Sequence, residues 1–182
     1  MLNILLAGVG GQGTVLAAKL LAQAAEEKGW QVRTAETIGM AQRGGNVVSH
    51  VRMGDRGEEV YAPLIALGTA DLVVAFEPAE AARVLPYLKP GGAMVCASTA
   101  IQPVSAALSN TPYLAGEVLE NLARIIGETG GTFVAVDDAA LVESAGSRKA
   151  LNVMLLACAL SESGLPISVD DLKRAIPACV KE

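Results

Sequence analysis

Short unbroken apolar runs alternate along this chain with longer stretches of helical spacing, a pattern that predicts strands buried between layers of helix. Residues 2–29 read as an apolar strand, a turn with four glycines and a long helix stopped at Lys28-Gly29. QVRTAE (31–36) is the next strand, which gives a βαβ unit with the usual right-handed crossover. TIGMAQRGGN (37–46) has no period and reads as a loop. VVSHVRM (47–53), a turn at Gly54-Asp55-Arg56-Gly57 and a return strand through Tyr61, stopped by Pro63, predict a hairpin.

Alternation then resumes. DLVVAFEP (71–78) and GAMVCAS (92–98) read as buried strands, joined by a helix around 78–87 and a turn at Lys89-Pro90-Gly91-Gly92. Pro103 and Pro112 make 101–113 an irregular excursion, followed by a helix at 115–128, a strand at 132–136 and a short helix from Asp137. SRKALNVMLLACALSES (147–163) is apolar nearly all round, the pattern of a helix covered on most sides, either within the domain or at an interface. Gly164 and Pro166 end it, and Ser168 caps a last helix with acids in its first turn. The fold class expected is α/β: a Rossmann-like three-layer fold with a mainly parallel sheet and an inserted β-hairpin, as one domain over 1–182.

Composition agrees. The 182 residues are 52% hydrophobic but only 3% aromatic, so the core must be layers of Ala, Val, Leu and Ile. A net charge of −5, with no basic run longer than Arg148-Lys149, lacks the footprint of a nucleic-acid binder. Cys96, Cys158 and Cys179 form no C-x-x-C pair for zinc, an iron–sulfur cluster or a redox switch. The N-terminus has no basic segment or cleavage site, and no apolar run approaches the roughly 18 residues of a membrane span, so a cytoplasmic protein is expected.

Gly8, Gly10 and Gly13 satisfy G-x-G-x-x-G between a strand and a helix, with Gly11 and Gln12 completing the turn. Glycines there let backbone amides approach a phosphate, and the helix N-terminus favours an anion. Gly8 and Gly13 also fit a P-loop spacing, but Thr14 stands where its lysine belongs, which argues against nucleotide hydrolysis. A free-standing NAD-binding enzyme gains support from Glu36, an acid at the end of the second strand. It is weakened by the lack of a substrate region and by a single histidine, His50, whose place mid-strand suits packing better than catalysis.

GVGGQG (8–13), ETIGMAQRGGNVVSHVRMGD (36–55), ADLVVAFEP (70–78) and SRKALNVMLL with its Asn152 together resemble the gamma subunit, or gamma domain, of the 2-oxoacid:ferredoxin oxidoreductases. Within that group the resemblance is to the small subunit of indolepyruvate oxidoreductases. Relatives often carry His or Tyr where this chain has Ile38. The resemblance implies a complex that oxidatively decarboxylates a 2-oxoacid with coenzyme A and passes two electrons to ferredoxin. Thiamine diphosphate and 4Fe-4S clusters would sit in partner subunits: thiamine-binding alpha and beta subunits and a ferredoxin-type subunit. A homodimer is compatible with it. This chain's own part would be to pack against the thiamine-binding subunits and shape the coenzyme A region. Gly8, Gly10, Gly11, Gln12 and Gly13, together with Arg43 flanked by Gly44 and Gly45, are the candidate binding residues, for coenzyme A or for an acidic group of a partner.

Overall fold

The most apolar part of the expected hairpin, VVSHVRM, does not pair with the segment after it. In the computed structural model, which describes residues 1–39, 45–101 and 113–179, it lies inside a six-stranded sheet. The strands are β1 (Leu2–Val9), β2 (Gln31–Ile38), β3 (Asn46–Gly54), β4 (Ala70–Ala75), β5 (Leu88–Ala97) and β6 (Thr132–Val136). Their order is β2-β3-β1-β4-β5-β6. β1, β4, β5 and β6 run parallel, whereas β3 is antiparallel to both neighbours.

Helices cover both faces. On one face α1 (Thr14–Glu27), α5 (Leu151–Ser163) and α6 (Val169–Cys179) bury Leu20, Leu21, Leu155, Leu156 and Leu172 against Ile4, Leu6, Val51, Met53, Leu72 and Val74. On the other, α2 (Pro78–Val84) and α3 (Ala115–Glu128) set Ala81, Val84, Leu122 and Ile126 on Leu5, Val73, Ala75, Met94 and Cys96. A short α4 (Asp138–Ala145) leads into α5 through a 3-10 turn at Arg148–Ala150. Each fully buried leucine contributes about 1.5–3 kcal/mol. The α/β, three-layer expectation is met, and α5 buries Leu151, Asn152, Leu155, Leu156, Ala159 and Leu160 within the fold.

β1 and β2 are parallel, as the βαβ reading expects, with β3 inserted between them. Two expectations need correction. The hairpin is β2–β3, closed through residues 39–45, and residues 55–69 form no return strand. The cause is local. A Cβ on Gly54 would sit 2.0 Å from the carbonyl oxygen of Glu58, so the chain doubles back tightly and crosses the sheet face as a strap. Side chains of β3 then satisfy the strap's backbone: Ile65 N donates to His50 Nδ1 at 3.2 Å, and Arg52 donates to the Ala62 carbonyl at 2.8 Å. Finally, Lys89-Pro90-Gly91-Gly92 is the irregular start of β5 rather than a turn before it, with a register shift against β4. Most of the loop expected at 37–46 and of the excursion expected at 101–113 lies outside the described residues.

One tie between layers gives a pH prediction. The Asp171 carboxylate, nearly buried at the start of α6, accepts from Ser168 N (2.8 Å), Ser168 Oγ (2.9 Å) and Lys28 Nζ (3.2 Å), which joins the ends of α1 and α6. Burial raises its pKa, but the Ser168 bonds and Lys28 outweigh it and hold the carboxyl at about 2, below its ordinary 3.8. A depressed folded-state pKa stabilises above the unfolded value and is lost as pH falls through the folded one. Acid unfolding should therefore draw on this group between pH 3.8 and about 2. In melts taken across that window, Asp171→Asn should flatten the dependence.

Candidate functional site

The glycine turn joins the carboxyl end of β1 to α1, at the edge of the sheet where α/β proteins gather their ligands. It is held from three sides. Gln12 folds back so that its Oε1 accepts from Val9 N (2.7 Å) while its Nε2 donates to the Phe76 carbonyl at the end of β4 (2.7 Å). Asn152 of α5, itself buried, donates through Nδ2 to the Gly13 carbonyl (3.2 Å). From the β3 side, the Gly45 carbonyl accepts from Gly10 N at 2.8 Å.

Two glycines are required by this geometry. Gly13 has φ 79°, and a Cβ on it would meet Asn152 Nδ2 at 2.5 Å. A Cβ on Gly8 would lie 2.8 Å from Gln12 Oε1 and 2.9 Å from Thr14 Oγ1. Gln12→Ala should leave Val9 N and the Phe76 carbonyl unpaired, at a cost of about 2 kcal/mol. In calorimetry that is a melting point lower by about 4–8 °C.

The locks decide which amides are open. Gly10 N and Gln12 N, both expected to face an anion, are engaged inside the turn, on the carbonyls of Gly45 and Val9. Among the described residues Gly11, Gly13, Thr14, Val15 and Leu16 keep amides without a protein acceptor. α2, α4 and α6 are capped by the side chains of Glu77, Asp137 and Ser168. The N-cap of α1 is Gly13, which has no side chain to offer, and Thr14 Oγ1 beside it is buried with no partner among the described residues.

A cleft of about 560 Å³ opens onto this helix end. Gly10, Gly11, Gln12 and Gly13 form one wall, Leu16, Ile101 and Leu151 give it an apolar lining, and Arg148, Lys149 and Asn152 close the far side. Arg148 and Lys149 are exposed and form no ion pair among the described residues. Open amides, two unengaged cations and an apolar strip suit a ligand with an anionic end and an apolar portion. Sequence reasoning placed Arg148-Lys149 on the chain but missed their part in the site; the signal was their position in the turn before Asn152. Gly45 is present as a lock on Gly10, while Arg43 and Gly44 lie outside the described residues.

A second polar group lies along the same sheet edge. Glu77, buried, accepts from Tyr113 Oη and from Glu80 N (3.0 Å), while Asp138 accepts from Thr99 N at 2.8 Å. Burial, then the carboxylates of Glu77 and Asp138, pushes the Cys96 thiol far above its ordinary range, and burial raises Cys158 and Cys179 as well. None is tuned as a nucleophile. His50 is buried against the edge of Tyr87, ring centroids 5.7 Å apart, and burial lowers its pKa, so it stays neutral as a structural acceptor for the strap.

The sequence matches the family described as pyruvate ferredoxin/flavodoxin oxidoreductase over residues 3–182. The chain belongs to this family. It is 38% identical over 175 residues to the indolepyruvate oxidoreductase subunit IorB of Thermococcus kodakarensis, covering 96% of this chain and 84% of the relative. Identity to the IorB of Pyrococcus horikoshii is 39% over the same length, with the same two coverages. The fold is shared with the gamma subunit of a keto/oxoacid ferredoxin oxidoreductase from Geobacter sulfurreducens, with TM-score 0.67, 20% identity, and coverage of 100% of this chain and 88% of that one. It is shared too with a 2-oxoglutarate:ferredoxin oxidoreductase from Magnetococcus marinus solved with 2-oxoglutarate, coenzyme A and succinyl-CoA, with TM-score 0.68, 23% identity, and coverage of 97% of this chain and 26% of that one.

The chain is thus a gamma-type subunit of a 2-oxoacid oxidoreductase complex, as the motifs implied. The free-standing NAD reading is not favoured. With β3 inserted, β2 lies two strand spacings, about 10 Å, from β1. Glu36 is exposed on that outer strand and does not line the cleft at the glycine turn. Among the described residues no helix is long and apolar enough to cross a membrane.

Proposed function

We propose that this chain is the small subunit of an indolepyruvate-type 2-oxoacid:ferredoxin oxidoreductase, and that its cleft holds the phosphate-bearing end of coenzyme A. The open N-terminus of α1 facing Arg148 and Lys149 across an apolar strip carries this reading. The cleft fits the group: its amides and cations match phosphate oxygens, and its volume matches part of a large ligand. Coenzyme A, when bound, supplies the thiol that takes up the acyl group. The residues of this chain bind and orient: Gln12 and Asn152 fix the turn, Gly11 and Gly13 to Leu16 present amides, and Arg148 and Lys149 neutralise charge. Thiamine diphosphate and 4Fe-4S clusters are assigned to thiamine-binding and ferredoxin-type partner subunits, in a cytoplasmic complex. Reconstitution tests the assignment. The purified chain alone should oxidise no 2-oxoacid, and the partner subunits should turn over only once it is added; unaided turnover by this chain overturns it.

A further inference from the structure

Among the described residues, β2 forms one outer edge of the sheet and pairs with no strand on its free side. β2 is eight residues long, pairs with β3 in unbroken register from Gln31 to Ile38, and contains neither proline nor lysine. Such strands present a row of unpaired backbone groups, and edges are ordinarily blunted by charged side chains, bulges, prolines or a covering element, of which β2 itself carries two exposed charges, Arg33 and Glu36. Two of the most exposed large apolar side chains of the described residues flank this edge. Ile38, 64% exposed, ends β2 on the face that carries α1. Tyr61, 86% exposed, stands on the opposite face beside Gln31 and Arg33, in a shallow depression lined also by Glu59 and Val60.

We infer that this edge pairs antiparallel with β2 of a second copy of the chain, about a two-fold axis through Ala35. The side chains select the register. Residues directly opposite in such a pair share a face, so only alignments that keep the pleat in phase are allowed. With Ala35 on the axis, Val32 meets the partner's Ile38, Arg33 meets the partner's Thr37, and Thr34 meets the partner's Glu36. The exposed isoleucine is covered, Tyr61 overhangs the partner's strand beside Arg33, and no like charges oppose. The neighbouring registers are worse: an axis at Thr34 sets Glu36 on Val32, while axes at Glu36 or Arg33 oppose two carboxylates or two guanidiniums. A pair of eight-residue strands is a small contact, so the association is weak in dilute solution. This inference does not rest on the coenzyme A reading.

Cross-linking tests it in the full chain. In a background of Cys158→Ser and Cys179→Ser, Ala35→Cys places the new thiol opposite its own symmetry mate, where Cα atoms about 4.5–5.5 Å apart permit a disulfide. Mild oxidation should convert most of the chain to a covalent dimer. Thr34→Cys in the same background should cross-link about tenfold less, and adding Ile38→Asp to Ala35→Cys should lower the yield about tenfold. Equal yields from Ala35→Cys and Thr34→Cys, or a yield indifferent to Ile38→Asp, overturn the proposal. Sedimentation of the unsubstituted chain decides without any new cysteine. A coefficient that rises with concentration, and does not for Ile38→Asp, supports the pairing; a constant monomer value overturns it.

Discussion

Replacing both Arg148 and Lys149 by alanine should raise the KM of the reconstituted enzyme for coenzyme A about a hundredfold and leave kcat nearly unchanged. The two cations face the helix end across the cleft and have no carboxylate partner among the described residues, so their removal costs the fold little. A charge-assisted hydrogen bond contributes about 1.5–3 kcal/mol. At exposed positions the low end applies, about tenfold per cation. Binding remote from the reacting atoms, equal in ground and transition states, appears in KM and not in kcat. The wild-type KM should also rise with ionic strength more steeply than that of the double variant. Steady-state kinetics at two salt concentrations checks both statements.

Gly13→Ala should be the most damaging single change in the turn. At φ 79° the left-handed conformation costs an alanine about 1–2 kcal/mol. Its methyl group must also displace Asn152, which would otherwise lie 2.5 Å away and whose Nδ2 holds the Gly13 carbonyl. Losing that bond adds about 1 kcal/mol. A total of about 2–3 kcal/mol lowers the melting temperature by about 4–12 °C. Because the strain lies at the N-cap of α1, coenzyme A binding should fall further than stability alone requires. Gly29→Ala provides the control: it also has positive φ, 76°, but nothing lies within 4 Å of a Cβ there, so it should lower the melting temperature less and leave the KM for coenzyme A unchanged.

Much of this architecture is written locally. The strand, glycine turn and helix at the N-terminus are legible because each residue type there has one plausible conformational use: apolar residues for a strand buried on both faces, glycine at positive φ, alanine and leucine for the helix. The sheet order is less so. QVRTAETI is polar enough to show that β2 is a half-exposed strand, and VVSHVRM apolar enough to show that β3 is interior. Nothing in either run states that β3 inserts between β2 and β1. That outcome depends on the tight return at Gly54 and on His50 and Arg52 binding the strap, contacts between residues whose spacing has no period.

The site divides in the same way. Gly8 and Gly13 are visible from the motif, whereas the engaged amides of Gly10 and Gln12 are not, because their acceptors are fixed by the turn's own closure. Arg148 and Lys149 reach the cleft only because Asn152 draws the start of α5 onto the Gly13 carbonyl, a contact across the length of the chain.

Hydrogen exchange in the reconstituted complex, with and without coenzyme A, addresses the cleft most directly. Coenzyme A should protect the amides of Gly11 and of Gly13 to Leu16 and slow exchange around Arg148 to Asn152. Protection elsewhere in the complex, with these two segments of this chain unchanged, would contradict the account.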